Sequence, residues 1–269
     1  MRGVSRASLA EARERLDTAL DGADAATLGD ELFAVLHLLD REHGLRRALS
    51  DPAQPGELKA AAAGDLLRSS LGGPTLDLVQ DMVRLRWARS ADLTDAVETL
   101  AVTALVASAE RARRLDDLED ELFRFGRVIA SQPDLRRALS NPAAPADAKV
   151  RLLSDLLDGK VTDATLRLVA ENATHPRGRS LERGLELYGR IAAERRERLI
   201  AVVRTSVELT ETQKTRLTAA LAAQYGRDIH LNIQVDPTVL GGLSVQIGDE
   251  EIDGTIQRRL GDARRRLTR

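Results

Sequence analysis

The chain has 269 residues, of which 43% are hydrophobic, 30% charged and only 2% aromatic, with a net charge of −2. Composition of this Ala-, Leu- and charge-rich kind belongs to amphipathic helices, and so few rings leave little to stack single-stranded bases. The absence of cysteine excludes disulfides, thiolate metal sites and a cysteine nucleophile, and the near-neutral charge excludes a whole-chain basic footprint.

Residues 1–15 lack the apolar run of a signal peptide, so a soluble chain is expected. The first helical period covers Ser8–Leu20, with Ser8 and Glu11 spaced as a capping box and Leu9, Ala12, Leu16 and Ala19 on one face. A second runs from Thr27 to about His43 on the stripe Leu28, Leu32, Val35, Leu36 and Leu39, and Gly44 is placed to close it. Leu45–Ser50 makes one or two helical turns, ended by Asp51-Pro52. A helix follows from about Pro55 to Ser70, with Pro55 suited to its first turn. Gly72-Gly73-Pro74 breaks the chain before a helix over Pro74–Arg89. From Ala91 to Ala130 the helical period continues, with room for a bend or break whose place the sequence does not fix. Its uncharged apolar-rich stretch, Leu100–Ala109, is too short to span a bilayer.

The next segment repeats an earlier one. Leu135-Arg-Arg-Ala-Leu-Ser-Asn-Pro-Ala-Ala-Pro follows Leu45-Arg-Arg-Ala-Leu-Ser-Asp-Pro-Ala-Gln-Pro at a distance of ninety residues. The same offset joins Lys59 to Lys149, Asp65-Leu66-Leu67 to Asp155-Leu156-Leu157, and Asp30-Glu31-Leu32-Phe33 to Asp120-Glu121-Leu122-Phe123. One register over some fifty residues argues for a duplicated unit of about five or six helices rather than convergent loop chemistry.

Near residue 200 the period changes. Ala201–Val207 has the β-branched content of a strand. Thr210–Tyr225 is a helix with Thr210 and Gln213 as a capping box. Ile229–Val235 alternates apolar and polar residues, Leu243–Ile247 forms another strand, and Gly248-Asp249 turns it back into Glu251-Ile252-Asp253. A basic helix from Thr255 to the end is expected. The predicted fold is therefore mainly α with a small C-terminal α/β module, divided as 1–103, 104–198 and 199–269.

No catalytic, cofactor or metal site emerges. His37 and His43 differ by about 120° around a helix and share no ligand face, and His175 stands before Pro176 without carboxylate or cysteine company in the sequence. The acidic residues Asp249, Glu250, Glu251 and Asp253 lack calcium-loop spacing and fit a solvated turn. Gly72-Gly73 and Gly241-Gly242 lack a P-loop or dinucleotide frame. The Arg-rich stretch, with Arg258, Arg259, Arg264, Arg265, Arg266 and Arg269, suits a solvent-facing helix end or an acidic partner, with nucleic acid a third option. A connector protein is the best reading, with a nucleic-acid-binding or other helical adaptor as the alternative.

The run from Val235 to Leu260 resembles the signature of the delta subunit of F-type ATP synthase, known in mitochondria as the oligomycin-sensitivity-conferring protein. It contains Asp236-Pro237, Leu240, Gly241-Gly242, Ile247-Gly248-Asp249, Ile252-Asp253-Gly254, Arg258 and Leu260. Residues 104–198 resemble that family's helical domain, and the added copy before them resembles the enlarged delta subunits of high-GC Gram-positive bacteria. The resemblance implies a non-catalytic stator subunit, peripheral on the cytoplasmic face of the cell membrane, binding no nucleotide, nucleic acid or cofactor. Its partners would be an N-terminal helix of the alpha subunit and the b-type peripheral-stalk subunits, with membrane contact only through the complex. It implies a groove for the alpha helix between the first and fifth helices of the domain, near Val102, Leu105, Val106, Leu166 and Val169. Leu243, Val245, Ile247 and Ile252 would serve mainly as core of the α/β module, together with Val239 and Leu240.

Overall fold

In the computed structural model, the described residues are 3–197, 199–225, 229–236, 241–247 and 250–253. Their contacts divide the chain into two compact units, Met1–Arg195 and Arg196–Arg269.

The first unit contains α1 (Val4–Gly22), α2 (Ala25–Arg41), α3 (His43–Ser50), α4 (Gly56–Leu67), α5 (Gly73–Arg84), α6 (Ser90–Arg111), α7 (Leu115–Ser131), α8 (Pro133–Ser140), α9 (Ala146–Leu157), α10 (Asp163–Thr174) and α11 (Leu181–Glu197). The bounds of α7–α10 lie ninety residues after those of α2–α5. Several polar contacts share that offset. Glu31 on α2 accepts the Gly72 N–H and the Thr75 hydroxyl at the start of α5. Glu121 on α7 accepts the Thr162 N–H and hydroxyl at the start of α10. In both places a carboxylate takes up amide donors that a helix N-terminus leaves unpaired. The buried Lys59 and Lys149 each donate to a carbonyl at the end of the following helix, Leu85 at 3.4 Å and Ala173 at 3.0 Å. Asp51 and Asn141 each accept the N–H two residues on, forming matching turns.

One apolar cluster runs through the unit, from Ala12 to Ala192. Helix α6 lies at its centre, with Leu100–Ala107 buried on every side. A helix apolar all round is one wrapped by neighbours. Accordingly α6 packs on α1, α2 and α3 from one side of the sequence and on α7 and α10 from the other. The anticipated cut at 103/104 falls inside it.

Two local expectations are corrected, and the place of a break in the segment from Ala91 is fixed. The first helix begins four residues before Ser8, which is buried and donates its hydroxyl to the Arg86 carbonyl (2.7 Å) instead of capping. Gly44 lies within α3 rather than closing α2, whose C-cap is Glu42. The long segment from Ala91 breaks at Ala112–Arg114. There Arg113 takes a positive φ of 58°, and the Arg114 and Arg113 N–H groups donate back to Ala109 and Glu110. Those bonds make a Schellman motif with arginine where glycine is usual, so no glycine or proline marks the break.

The second unit contains β1 (Leu199–Thr205), α12 (Glu211–Tyr225), β2 (Ile229–Val235), β3 (Leu243–Ile247) and β4 (Glu250–Asp253). The sheet order is β2-β1-β3-β4, with β1 parallel to β2 and antiparallel to β3, and β4 antiparallel to β3. Thr210 and Gln213 form the expected capping box: the Thr210 N–H donates to Gln213 Oε1 (2.8 Å) and the Gln213 N–H to the Thr210 hydroxyl (3.3 Å). Val203, Leu221, Ile229, Val245 and Ile247 form the core between sheet and helix.

Candidate functional site

The residues expected to line an open groove are interior. Val102, Leu105, Val106 and Val169 are buried, and Leu166 is half-buried against the same core. The reason is α2, which packs along α6 and reaches α10 through side-chain pairs. It runs antiparallel to α6. Near one end Arg111 donates to the Ala23 carbonyl (2.9 Å), and in the middle Gly29 rests on Leu105. At the other end Asp40 shares Arg177 with Asp95 and Glu98. Along α10, Asp30 pairs with Arg167 and His37 Nε2 lies 2.7 Å from Glu171 Oε1. The apolar stripe of α2 thus covers the α6 side of these residues. Gly29 permits the approach: a Cβ there would stand 2.8 Å from Leu105 Cδ2.

A charged cluster locks this arrangement. Arg177, in the turn after α10, reaches Asp40 on α2 (2.8 Å) and Asp95 and Glu98 on α6, and it holds a φ of 51° to do so. Glu98 is 3% exposed and also takes Arg179 and the Tyr188 hydroxyl. Burial works against the Arg177 charge, but Glu98, Asp40 and Asp95 outweigh it and raise its pKa. Burial also pushes the Tyr188 phenol well above its ordinary value, so it stays a neutral donor to Glu98. These partners lie 79 to 137 positions apart, and no local pattern announces them.

Beside this cluster, His37, Glu171 and His175 come together. The two imidazoles stack with centroids 3.6 Å apart, and both face the Glu171 carboxylate. Burial alone would raise the Glu171 pKa, but the hydrogen bonds from His175 and His37 lower it. His175 therefore has carboxylate company after all: Glu171 is one turn back, an i,i+4 spacing already present in the sequence, and His37 arrives from α2.

The two matching sequence segments differ on one face. Phe33 is 5% exposed, its ring stacked on His37. Its counterpart Phe123 on α7 is 68% exposed, between Asp120 and Arg127, the counterparts of Asp30 and His37.

In the second unit, Gly241 and Gly242 take φ of 72° and 83°, a conformation that side chains resist. The Asp236 N–H donates to the Thr205 carbonyl (2.8 Å). Val245 and Ile247 are core, whereas Ile252 is 39% exposed. Ile252 lies opposite Val245 on the terminal strand β4, where the sheet has no further neighbour among the described residues. Asp253 pairs with Ser244 across the same strands. Pro237, Val239, Leu240, Gly248, Asp249, Gly254, Arg258 and Leu260, with the basic helix anticipated after Thr255, lie outside the described residues.

A helical body whose buried charges and interior apolar helix clamp one helix onto another, followed by a small α/β module, defines a scaffold: its chemistry is that of holding helices. A sequence profile described as the ATP synthase delta (OSCP) subunit matches residues 102–267. ATP synthase subunit delta of Streptomyces avermitilis is 57% identical over 98% of both chains, and that of Thermobifida fusca is 53% identical over 99% of both. The same subunit of Acidothermus cellulolyticus is 48% identical over 99% of both. A chain of the Toxoplasma gondii mitochondrial ATP synthase hexamer overlaps at a TM-score of 0.29 with 16% identity, over 62% of this chain and 95% of that one. The chain belongs to the ATP synthase delta (OSCP) subunit family. It is a structural subunit of the stator, or peripheral stalk, of the membrane-associated F-type ATP synthase. No helix among the described residues is long and apolar enough to cross a membrane.

Proposed function

We propose that this subunit handles neither nucleotide nor protons and works as a mechanical link on the cytoplasmic face of the membrane. It joins the N-terminal helix of an alpha subunit to the b-type stalk subunits and resists rotor torque. The full-length similarity to delta subunits carries this reading, because both the helical body and the α/β module are matched. We read the helical body as two copies of one unit sharing α6; the common ninety-residue offset in helix bounds and capping contacts supports this.

The added copy then has a role. Its α2 takes, within the chain, the seat on α6 and α10 that an alpha-subunit helix takes in one-unit relatives. An alpha-subunit helix would instead use the uncovered face of α7. Phe123 offers an apolar anchor there, and Asp120 and Arg127 offer one charge of each sign.

The test is binding of a labelled alpha-subunit N-terminal peptide to the full chain, followed by anisotropy. Phe123→Glu is expected to weaken binding more than tenfold, a loss of about 1.4 kcal/mol or more, while helix content stays unchanged. Unaltered affinity in Phe123→Glu would refute this seat. Failure of the full chain to rebind catalytic heads stripped of their own delta subunit would refute the stator reading itself.

A further inference from the structure

We propose that His37, Glu171 and His175 form a binding site for a transition-metal dication of the Zn2+ class, which cross-links α2 to α10. One ring nitrogen from each histidine and one carboxylate oxygen lie within 4.8 Å of one another. Tetrahedral ligands bonded at about 2.0 Å stand roughly 3.3 Å apart. The imidazoles are stacked with an interplanar angle of 22°, so one ring must swing out of the stack for both lone pairs to meet on one ion, a movement their exposed edges leave room for. His37 and His175 are 31% and 43% exposed, which leaves a path for the ion, while Glu171 at 11% is held in place.

The donor set is selective. Two imidazoles and one carboxylate suit zinc and its neighbours in the first transition row and leave a fourth position for water. Magnesium and calcium prefer all-oxygen sites with more ligands. Burial opposes the Glu171 charge and the two imidazoles offset that cost by hydrogen bonding, a task a bound dication performs more strongly.

Position gives the site its consequence. Its ligands come from α2 and from α10 with its C-cap, His37 and Glu171 being 134 residues apart in sequence. A metal bridge here would fasten α2 in its seat. The chain has four histidines and no cysteine, so the background of competing soft ligands is small.

The experiment titrates Zn2+ into the full chain against a chromophoric chelator in a non-coordinating buffer. The expected result is one site with a Kd of about 1–10 μM, a zinc-dependent rise in Tm, and a tetrahedral visible spectrum when Co2+ replaces zinc. His37→Gln, His175→Gln and Glu171→Gln, conservative changes with circular dichroism as the check on folding, should each weaken binding at least tenfold. His43→Gln and His230→Gln should leave it unchanged. Absence of one-to-one binding below about 100 μM, a weakness not expected of a preformed three-ligand site, would overturn the proposal. So would equal affinity in the His37 and His175 variants.

Discussion

Gly29→Ala tests whether α2 is seated on α6 as tightly as the distances require. Inside a helix, replacing glycine by alanine contributes about 1 kcal/mol of stability through propensity alone. Here the new methyl would stand 2.8 Å from Leu105 Cδ2, 2.9 Å from Leu105 Cγ and 3.3 Å from the Ala101 carbonyl oxygen. Leu105 is 0% exposed and has no vacant space to turn into, so overpacking costs roughly 1–3 kcal/mol. The net expectation is a loss of about 1 kcal/mol, or roughly 2–4 °C in Tm for a body of this size. Leu105→Ala alone should cost about 3 kcal/mol by leaving a cavity. Combined, the two changes should cost at least 1 kcal/mol less than their sum, because the alanine methyl enters the space the leucine vacated. Urea unfolding followed by the helical circular dichroism signal measures all three, provided the slope with denaturant is unchanged. Additivity within about 0.5 kcal/mol, or a full 1 kcal/mol gain in Gly29→Ala, would refute the close α2–α6 contact.

Other consequences follow from the charged and strained positions. Glu98→Ala should destabilise the helical unit by about 3 kcal/mol, read by thermal unfolding, because it takes the carboxylate from Arg179 and Tyr188 and one of three from Arg177. Asp92 accepts the Ser5 hydroxyl (2.8 Å) and Arg89 Nη2 (2.7 Å). Burial raises its pKa, but those two partners lower it further, so the folded value lies below the ordinary 3.8. A depressed folded pKa means a contribution present above pH 3.8 and lost as pH falls through the folded value. Asp92→Asn should therefore remove part of the acid sensitivity of unfolding, and an unchanged pH profile would contradict the pairing. Arg113→Gly should raise stability by roughly 0.5–1 kcal/mol, since glycine takes the left-handed conformation without steric cost. Thr210→Ala should lose about 1 kcal/mol in the α/β unit, measured by amide exchange along α12.

Local chemistry and periodicity were sufficient for much of this molecule. The ninety-residue repeat was legible letter by letter, and the Thr210–Gln213 box follows from spacing alone. The strands Ile229–Val235 and Leu243–Ile247 match their alternation to the residue, because the period of two ties register to burial. The break at Arg113 was invisible because the motif uses arginine in the place of glycine. Only the tertiary structure decided what α2 covers. Apolar stripes on α2, α6 and α7 look alike in sequence, and whether such a stripe is core or docking surface depends on which helix arrives. Phe33 and Phe123 occupy equivalent positions in matching strings, yet one is buried and the other open. In the same way, Arg177 finds Glu98, and His37 finds Glu171 and His175, across separations of 79 to 138 residues. Charges and imidazoles so far apart in the chain carry no mutual signal until packing sets them a few ångströms from each other.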